Sequence, residues 1–231
     1  MAIADNISSV LEDIRECRIR HGVEHPVDLL AVSKTKPYED VMAAYEAGQR
    51  LFGESYAQEA CAKIDTCRRD GIRDITWFFI GPLQSNKTRP VAERFDWVMS
   101  CDREKILRRL NEQRPAMMRP LNVCLQVNIS GEEQKSGAAL SEAADLAAVA
   151  AGLPHLCLRG LMGIALDTRD QEILQNEFSA LADLFRQLRQ RYPSMDTLSM
   201  GMTADMEAAI AAGSTQVRIG TRIFGARSRP D

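Results

Sequence analysis

Two lysines, Lys34 and Lys36, stand in the run Ser33-Lys-Thr-Lys-Pro37, directly after the apolar stretch Asp28-Leu-Leu-Ala-Val. Positions two apart share a side if the strand continues, and Pro37 biases Lys36 toward an extended conformation. A lysine near a second cation and partly desolvated loses its proton more easily and can form a Schiff base with a carbonyl compound. Solvated loop lysines are the plainer alternative. Near the other end lies Ser199-Met-Gly-Met-Thr203, and farther on Gly220-Thr221. Glycines such as Gly201 and Gly220 let a backbone come close to an anion, amides such as that of Met202 point at it, and the hydroxyls of Ser199 and Thr221 add hydrogen bonds. Tight turns alone would also use these glycines. Arg218, two residues before Gly220, shares its face in an extended strand and needs an acceptor if it points inward. That acceptor is either a buried carboxylate or a bound ligand.

The elements that must position these groups are read from periodicity. Ile3, Ile7, Val10, Leu11, Ile14 and Cys17 form one helical stripe ending near Gly22. Eight short β-prone runs follow, over 28–33, 50–52, 75–80, 95–99, 121–127, 157–162, 197–199 and 216–219. Helical patterns lie between them, among others over 38–47, 139–151, 171–191 and 204–212. Strand-helix alternation implies right-handed βαβ units, and runs apolar on consecutive positions suit strands buried on both faces. About eight units in this length predict a single (β/α)8 TIM barrel with an extra N-terminal helix, an α/β fold of one domain over residues 1–231: the helix over 1–22, the barrel over 27–226. The rival, an open doubly wound sheet, lacks its glycine fingerprint after the first run. In such a barrel chemistry sits where strands end, and the loops after strands seven and eight form the usual phosphate site. A Schiff-base lysine beside a phosphate site describes the needs of an aldehyde-bearing phosphate ester, of which pyridoxal 5′-phosphate (PLP) is the commonest cofactor.

Composition narrows the classes further. With 231 residues, 45% of them apolar, the chain can bury a substantial core. Twenty-nine basic against 32 acidic residues, without a long block of like charge, make nucleic acid a poor partner. Asp5, Glu12 and Asp13 argue against a secretory leader, and the longest uncharged stretch, 146–158, is too short to span a bilayer. A cytoplasmic protein without membrane contact is expected. The six cysteines show no CxxC spacing and the three histidines no ligand pattern, so no metal site is expected. Cys124 and Cys157 read as buried reduced thiols, His21 and His25 as solvated loop residues.

Ala31-Val-Ser-Lys-Thr-Lys-Pro37, Phe52-Gly-Glu-Ser-Tyr56, Phe79-Ile-Gly-Pro-Leu-Gln-Ser-Asn-Lys87, Lys135-Ser-Gly137, Arg159-Gly-Leu-Met162, Gly201-Met-Thr-Ala-Asp-Met-Glu207 and Val217-Arg-Ile-Gly-Thr-Arg-Ile-Phe-Gly225 together resemble the motifs of the YggS/PROSC family of pyridoxal phosphate homeostasis proteins. The resemblance covers nearly the whole chain. It implies a fold-type III PLP-binding barrel, similar to the N-terminal barrel of alanine racemase, with a role in vitamin B6 balance and no established catalysis. By the same resemblance Lys36 is the Schiff-base lysine, Ser199, Gly220 and Thr221 meet the phosphate, Arg218 meets the pyridine nitrogen, and Lys135 lies near the site. Ser55 stands where the family commonly has Asn, and Phe78 where it often has His, which puts polar contacts from those positions in question.

Three functions are therefore weighed: a PLP carrier that can serve PLP-dependent apo-enzymes, a PLP-dependent amino-acid racemase, and a cofactor-free Schiff-base aldolase. Racemisation needs proton-transfer groups on both faces of the Cα. Tyr38 and Tyr56 are the nearby tyrosines for the second face. A monomer is expected, since no exposed apolar stripe suggests obligate assembly.

Overall fold

The computed structural model describes residues 2–132 and 134–226. Eight parallel strands, β1 (Asp28–Val32), β2 (Leu51–Glu54), β3 (Thr76–Phe79), β4 (Trp97–Cys101), β5 (Leu121–Val127), β6 (Leu156–Gly163), β7 (Thr197–Ser199) and β8 (Gln216–Ile219), close into a barrel in chain order. Closure is by β8 on β1, with Leu30 opposite Arg218 and Ala31 opposite Ile219. The expected fold class is what the chain adopts.

Helix α1 (Ile3–Arg20) precedes the barrel and buries Ile7, Val10, Ile14 and Cys17, the stripe its spacing predicts. The crossover helices are α2 (Tyr38–Glu46), α3 (Ala57–Arg69), α4 (Thr88–Arg94), α5 (Glu104–Gln113), α6 (Ala143–Ala151), α7 (Gln171–Arg191) and α8 (Met206–Ala211), with α9 (Thr221–Phe224) after β8. The run at 204–212 shortens to α8 because Asp205 takes up the cap position and its carboxylate accepts the Met202 amide. Among the described residues no helix is long and apolar enough to cross a membrane.

Strand alternation sorts the core into two sets. Leu29, Ala31, Phe52, Trp77 and Phe79 point outward into the main layer between barrel and helices. Leu30, Phe78, Met99, Cys124 and Met162 point inward and fill the lumen. Phe78 stacks on Trp97, ring centres 5.1 Å apart, and faces the mouth at which strands begin. It therefore plugs the barrel below the opposite mouth, where the strands end.

The six cysteines are free. Cys124 is fully buried as expected, whereas Cys157 is only half buried, being the second residue of β6 near the strand's outer end. His21 and His25 are exposed loop residues, yet each has a partner: His21 Nε2 lies 3.0 Å from Glu207 Oε1 and His25 Nε2 lies 3.1 Å from the Ser214 carbonyl oxygen.

Candidate functional site

At the mouth where the strands end, a cavity of about 320 Å³ is lined by Lys34 and Lys36 after β1, Ser55 after β2, Arg218 on β8, and Gly220 and Thr221 after it. Val32, Ile80, Met162 and Ile164 supply apolar walls, and Thr203 and Ala204 the side toward α8. β1 does not continue through the lysines, as their shared side had suggested. The Lys36 amide donates to the Ser33 carbonyl oxygen at 3.1 Å, closing a turn in which Thr35 has φ of 62°. This turn delivers both lysines to the same cavity. The Lys36 amine donates to the carbonyl oxygens of Phe224 and Ala226 at 2.8 and 2.7 Å, which ties it to the end of α9.

Arg218 is the most deeply held charge of the site. Its Nη1 donates to the Ser199 carbonyl and hydroxyl oxygens and its Nη2 to the Gly163 carbonyl oxygen, each at 2.8 Å. Burial pushes its pKa down to about 10, against the pull of Asp205. Neutral acceptors rather than a carboxylate bond this guanidinium, so of the two expected partners the buried carboxylate is not the one found. A donor-only group facing the cavity suits a ligand atom with an unprotonated lone pair.

The remaining predicted residues fall on two sides. Gly220 and Thr221 reach the cavity; Gly201, with φ of +94°, lies just behind it, where a Cβ would come within 2.6 Å of Ala209 Cβ. Ser199 is fully buried, and its hydroxyl donates to Gln216 Oε1 at 3.0 Å while accepting from Arg218. It braces Arg218 instead of facing the cavity. Met202 reaches the cavity with its side chain, but its amide is engaged by Asp205. Lys135 lies in the β5–α6 loop, with its amine on the Ala165 carbonyl oxygen at 3.2 Å and paired with Glu132, outside the cavity lining. Tyr38 donates to Asp70 at 2.7 Å and Tyr56 is exposed, and neither lines the cavity.

The chain and its fold have counterparts among known proteins. Residues 7–228 match the family described as alanine racemase, N-terminal domain. The chain is 52% identical to the pyridoxal phosphate homeostasis protein of Pasteurella multocida over 230 residues, covering 98% of both chains. It is likewise 52% identical to that of Escherichia coli strain K12, covering 97% of each.

This chain belongs to the pyridoxal phosphate homeostasis protein family.

PipY of Synechococcus elongatus, solved with PLP bound, superposes with a TM-score of 0.82 at 33% identity, covering 96% of this chain and 100% of that one. Alanine racemase of Corynebacterium glutamicum shares the fold at 15% identity and a TM-score of 0.68, this chain spanning 60% of its length. Within the pyridoxal phosphate homeostasis fold, the sequence motifs point to the lysine and arginine but leave two features unmarked. Thr203 lines the cavity, since the helix begins at Met206 and leaves the loop before it at the cavity's edge. Behind the lysine turn, Lys63 and Glu54 are buried together, joined at 2.8 Å. Only the Glu59/Lys63 spacing of i,i+4 hints at them in the sequence.

Proposed function

We propose that this chain binds PLP in the cavity at the strand ends, holds it on Lys36, and serves vitamin B6 homeostasis as a cytoplasmic, monomeric carrier without turning over amino acids. The observation that carries the reading is the convergence of an amine, a buried guanidinium and a threonine hydroxyl, those of Lys36, Arg218 and Thr221, on one cavity of about 320 Å³. That size lies at the lower end of the range for small-ligand sites, and its mixed apolar and polar walls suit a flat ring with a charged tail.

When bound, the cofactor supplies an aldehyde that a lysine amine attacks with loss of water, reversibly. Lys36 provides the amine, released from the carbonyl oxygens of Phe224 and Ala226. Arg218, braced by Ser199 and Gly163, would donate to the ring nitrogen and, being itself a donor, disfavour a proton there. The hydroxyls of Thr221 and Thr203 and the open backbone at Gly220 would take the phosphate. With four residues, α9 contributes a turn rather than a helix dipole.

Among the described residues lining the cavity, the titratable side chains are Lys34, Lys36 and Arg218. Neither tyrosine weighed as a second proton-transfer group reaches it. A general acid or base is worth about 10²–10⁴-fold in rate, so this lining favours holding over racemisation. Family membership favours the carrier over the cofactor-free aldolase. The test is incubation of the loaded protein with L-amino acids in D2O, beside transfer to a PLP-dependent apo-enzyme. The expected result is measurable transfer with little deuterium at Cα. Enzyme-like exchange that Lys36→Ala abolishes would make the protein a racemase-type catalyst.

A further inference from the structure

Thr35 is the one described non-glycine residue with positive φ, at 62°, and it sits between the two cavity lysines. With the Ser33 carbonyl oxygen accepting from the Lys36 amide, Thr35 holds the third position of a four-residue turn, where positive φ ordinarily calls for Gly or Asn. A β-branched side chain is strained there. Something outside the turn must hold it.

The holding group is on α3. Glu59 Oε1 accepts the Thr35 amide at 2.8 Å. The same oxygen accepts from Lys63 at 2.6 Å, and the Lys63 amine also donates to Glu54 Oε1 at 2.8 Å and to the Ser33 carbonyl oxygen at 2.9 Å. Lys63 thus uses three hydrogens on three acceptors while only 7% of its side chain is exposed. Ser33 closes the ring, its hydroxyl donating to Glu54 Oε1 at 2.7 Å. Two of these bonds land on the turn itself, at the Ser33 carbonyl and the Thr35 amide. None of these side chains lines the cavity, and the carrier mechanism does not use them.

We propose that Glu59, fixed by Lys63 and Glu54, is a positioning residue that keeps Thr35 in the left-handed region and so decides that Lys36 rather than Lys34 presents its amine to the cofactor. The proposal rests on the reading that Lys36 holds PLP. Without the Glu59 carboxylate the turn relaxes toward an ordinary φ at Thr35, and the two lysines lose their fixed order.

The experiment uses the full chain and PLP, with three readouts: affinity from the visible absorbance of the attached cofactor, the share of borohydride-fixed label on each lysine, and the melting temperature without cofactor. Glu59→Ala is the main variant, because Ala is at home in a helix and the site is partly exposed. Lys63→Met is avoided, since it would leave Glu54 buried without its counter-charge. The expected result for Glu59→Ala is affinity lower by about tenfold, the size of a lost charge-assisted bond, with label spreading to Lys34. Glu59→Gln, which keeps an acceptor but no charge, shows the same change to a smaller extent. Thr35→Gly accepts positive φ without strain, so added to Glu59→Ala it restores both affinity and labelling of Lys36.

Unchanged affinity and labelling in both Glu59 variants would overturn the proposal while leaving the carrier reading intact. So would a loss that Thr35→Gly does not recover, for then Glu59 supports α3 and not the turn. A wild-type protein without colour, or labelled elsewhere than Lys36, would overturn the carrier reading first and this proposal with it.

Discussion

Arg218 and Ser199 are joined twice, Nη1 of the guanidinium donating to both the carbonyl and the hydroxyl oxygen of Ser199 at 2.8 Å. The Ser199 hydroxyl donates to Gln216 and accepts from Arg218, whereas Thr221 and Thr203 line the cavity, so on the proposed reading the threonines and not Ser199 would meet the phosphate. Ser199→Ala should then weaken pyridoxal and PLP to a similar degree, through a displaced Arg218, and cost about 1–3 kcal/mol of stability from unpaired buried groups. Thr221→Val should weaken PLP by about tenfold and leave pyridoxal nearly unchanged. Titration of both variants with both compounds checks this. A loss confined to PLP in Ser199→Ala would return that serine to the phosphate.

Burial raises the pKa of the Glu54 carboxyl above its ordinary value, against the opposing pull of Lys63 and Ser33. The folded protein therefore keeps a proton that the unfolded chain has lost, over the pH range from the ordinary carboxylate pKa up to the raised one. This stabilisation is fully present below the unfolded pKa and is lost as pH rises through the folded one. Urea unfolding between about pH 4 and pH 7 should show the wild type losing stability relative to Glu54→Gln as pH increases. A difference that is flat or of opposite slope would show that the ion pair dominates.

Burial pushes the thiols of Cys101 and Cys124 far up, and both are completely enclosed. A thiol reagent on the native protein at mildly alkaline pH should leave these two unmodified, while denaturant exposes all six cysteines. Mass mapping of the modified peptides is the readout, and labelling of Cys124 at the rate of the exposed thiols would contradict the lumen packing.

Gly160 lies where β6 shifts register against β5, and a Cβ there would fall 1.6 Å from the Thr197 carbonyl oxygen. Backbone cannot give way as a flexible side chain does. Gly160→Ala should cost about 3 kcal/mol or more, measured by urea unfolding. A near-wild-type midpoint would show that β6 and β7 can separate locally.

β1 announces itself by the unbroken apolar run Leu29-Leu-Ala-Val32, because helices cover one face and the lumen the other. β2 runs past the expected 50–52 to Glu54, a charged residue that stays buried at the strand end because Lys63 meets its carboxylate. Helices α3, α4 and α5 carry few large apolar residues and many charges, so they read weakly beside α7, whose stripe runs from Leu174 to Leu188. At the site, residue type and position after a strand were enough to single out Lys34, Lys36, Gly220 and Thr221. The orientation of Ser199 was not legible, because it depends on a guanidinium arriving from β8. Nor was the strained turn at Thr35, which needs a carboxylate 24 residues away in the chain.

The central claim, that Lys36 carries the cofactor, is tested most directly by saturating the protein with PLP, reducing with borohydride and mapping the labelled peptides by mass. The account predicts the phosphopyridoxyl mass on Lys36, its loss in Lys36→Ala and its retention in Lys34→Ala. Label on Lys34 in the wild type, or full occupancy persisting in Lys36→Ala, would contradict it.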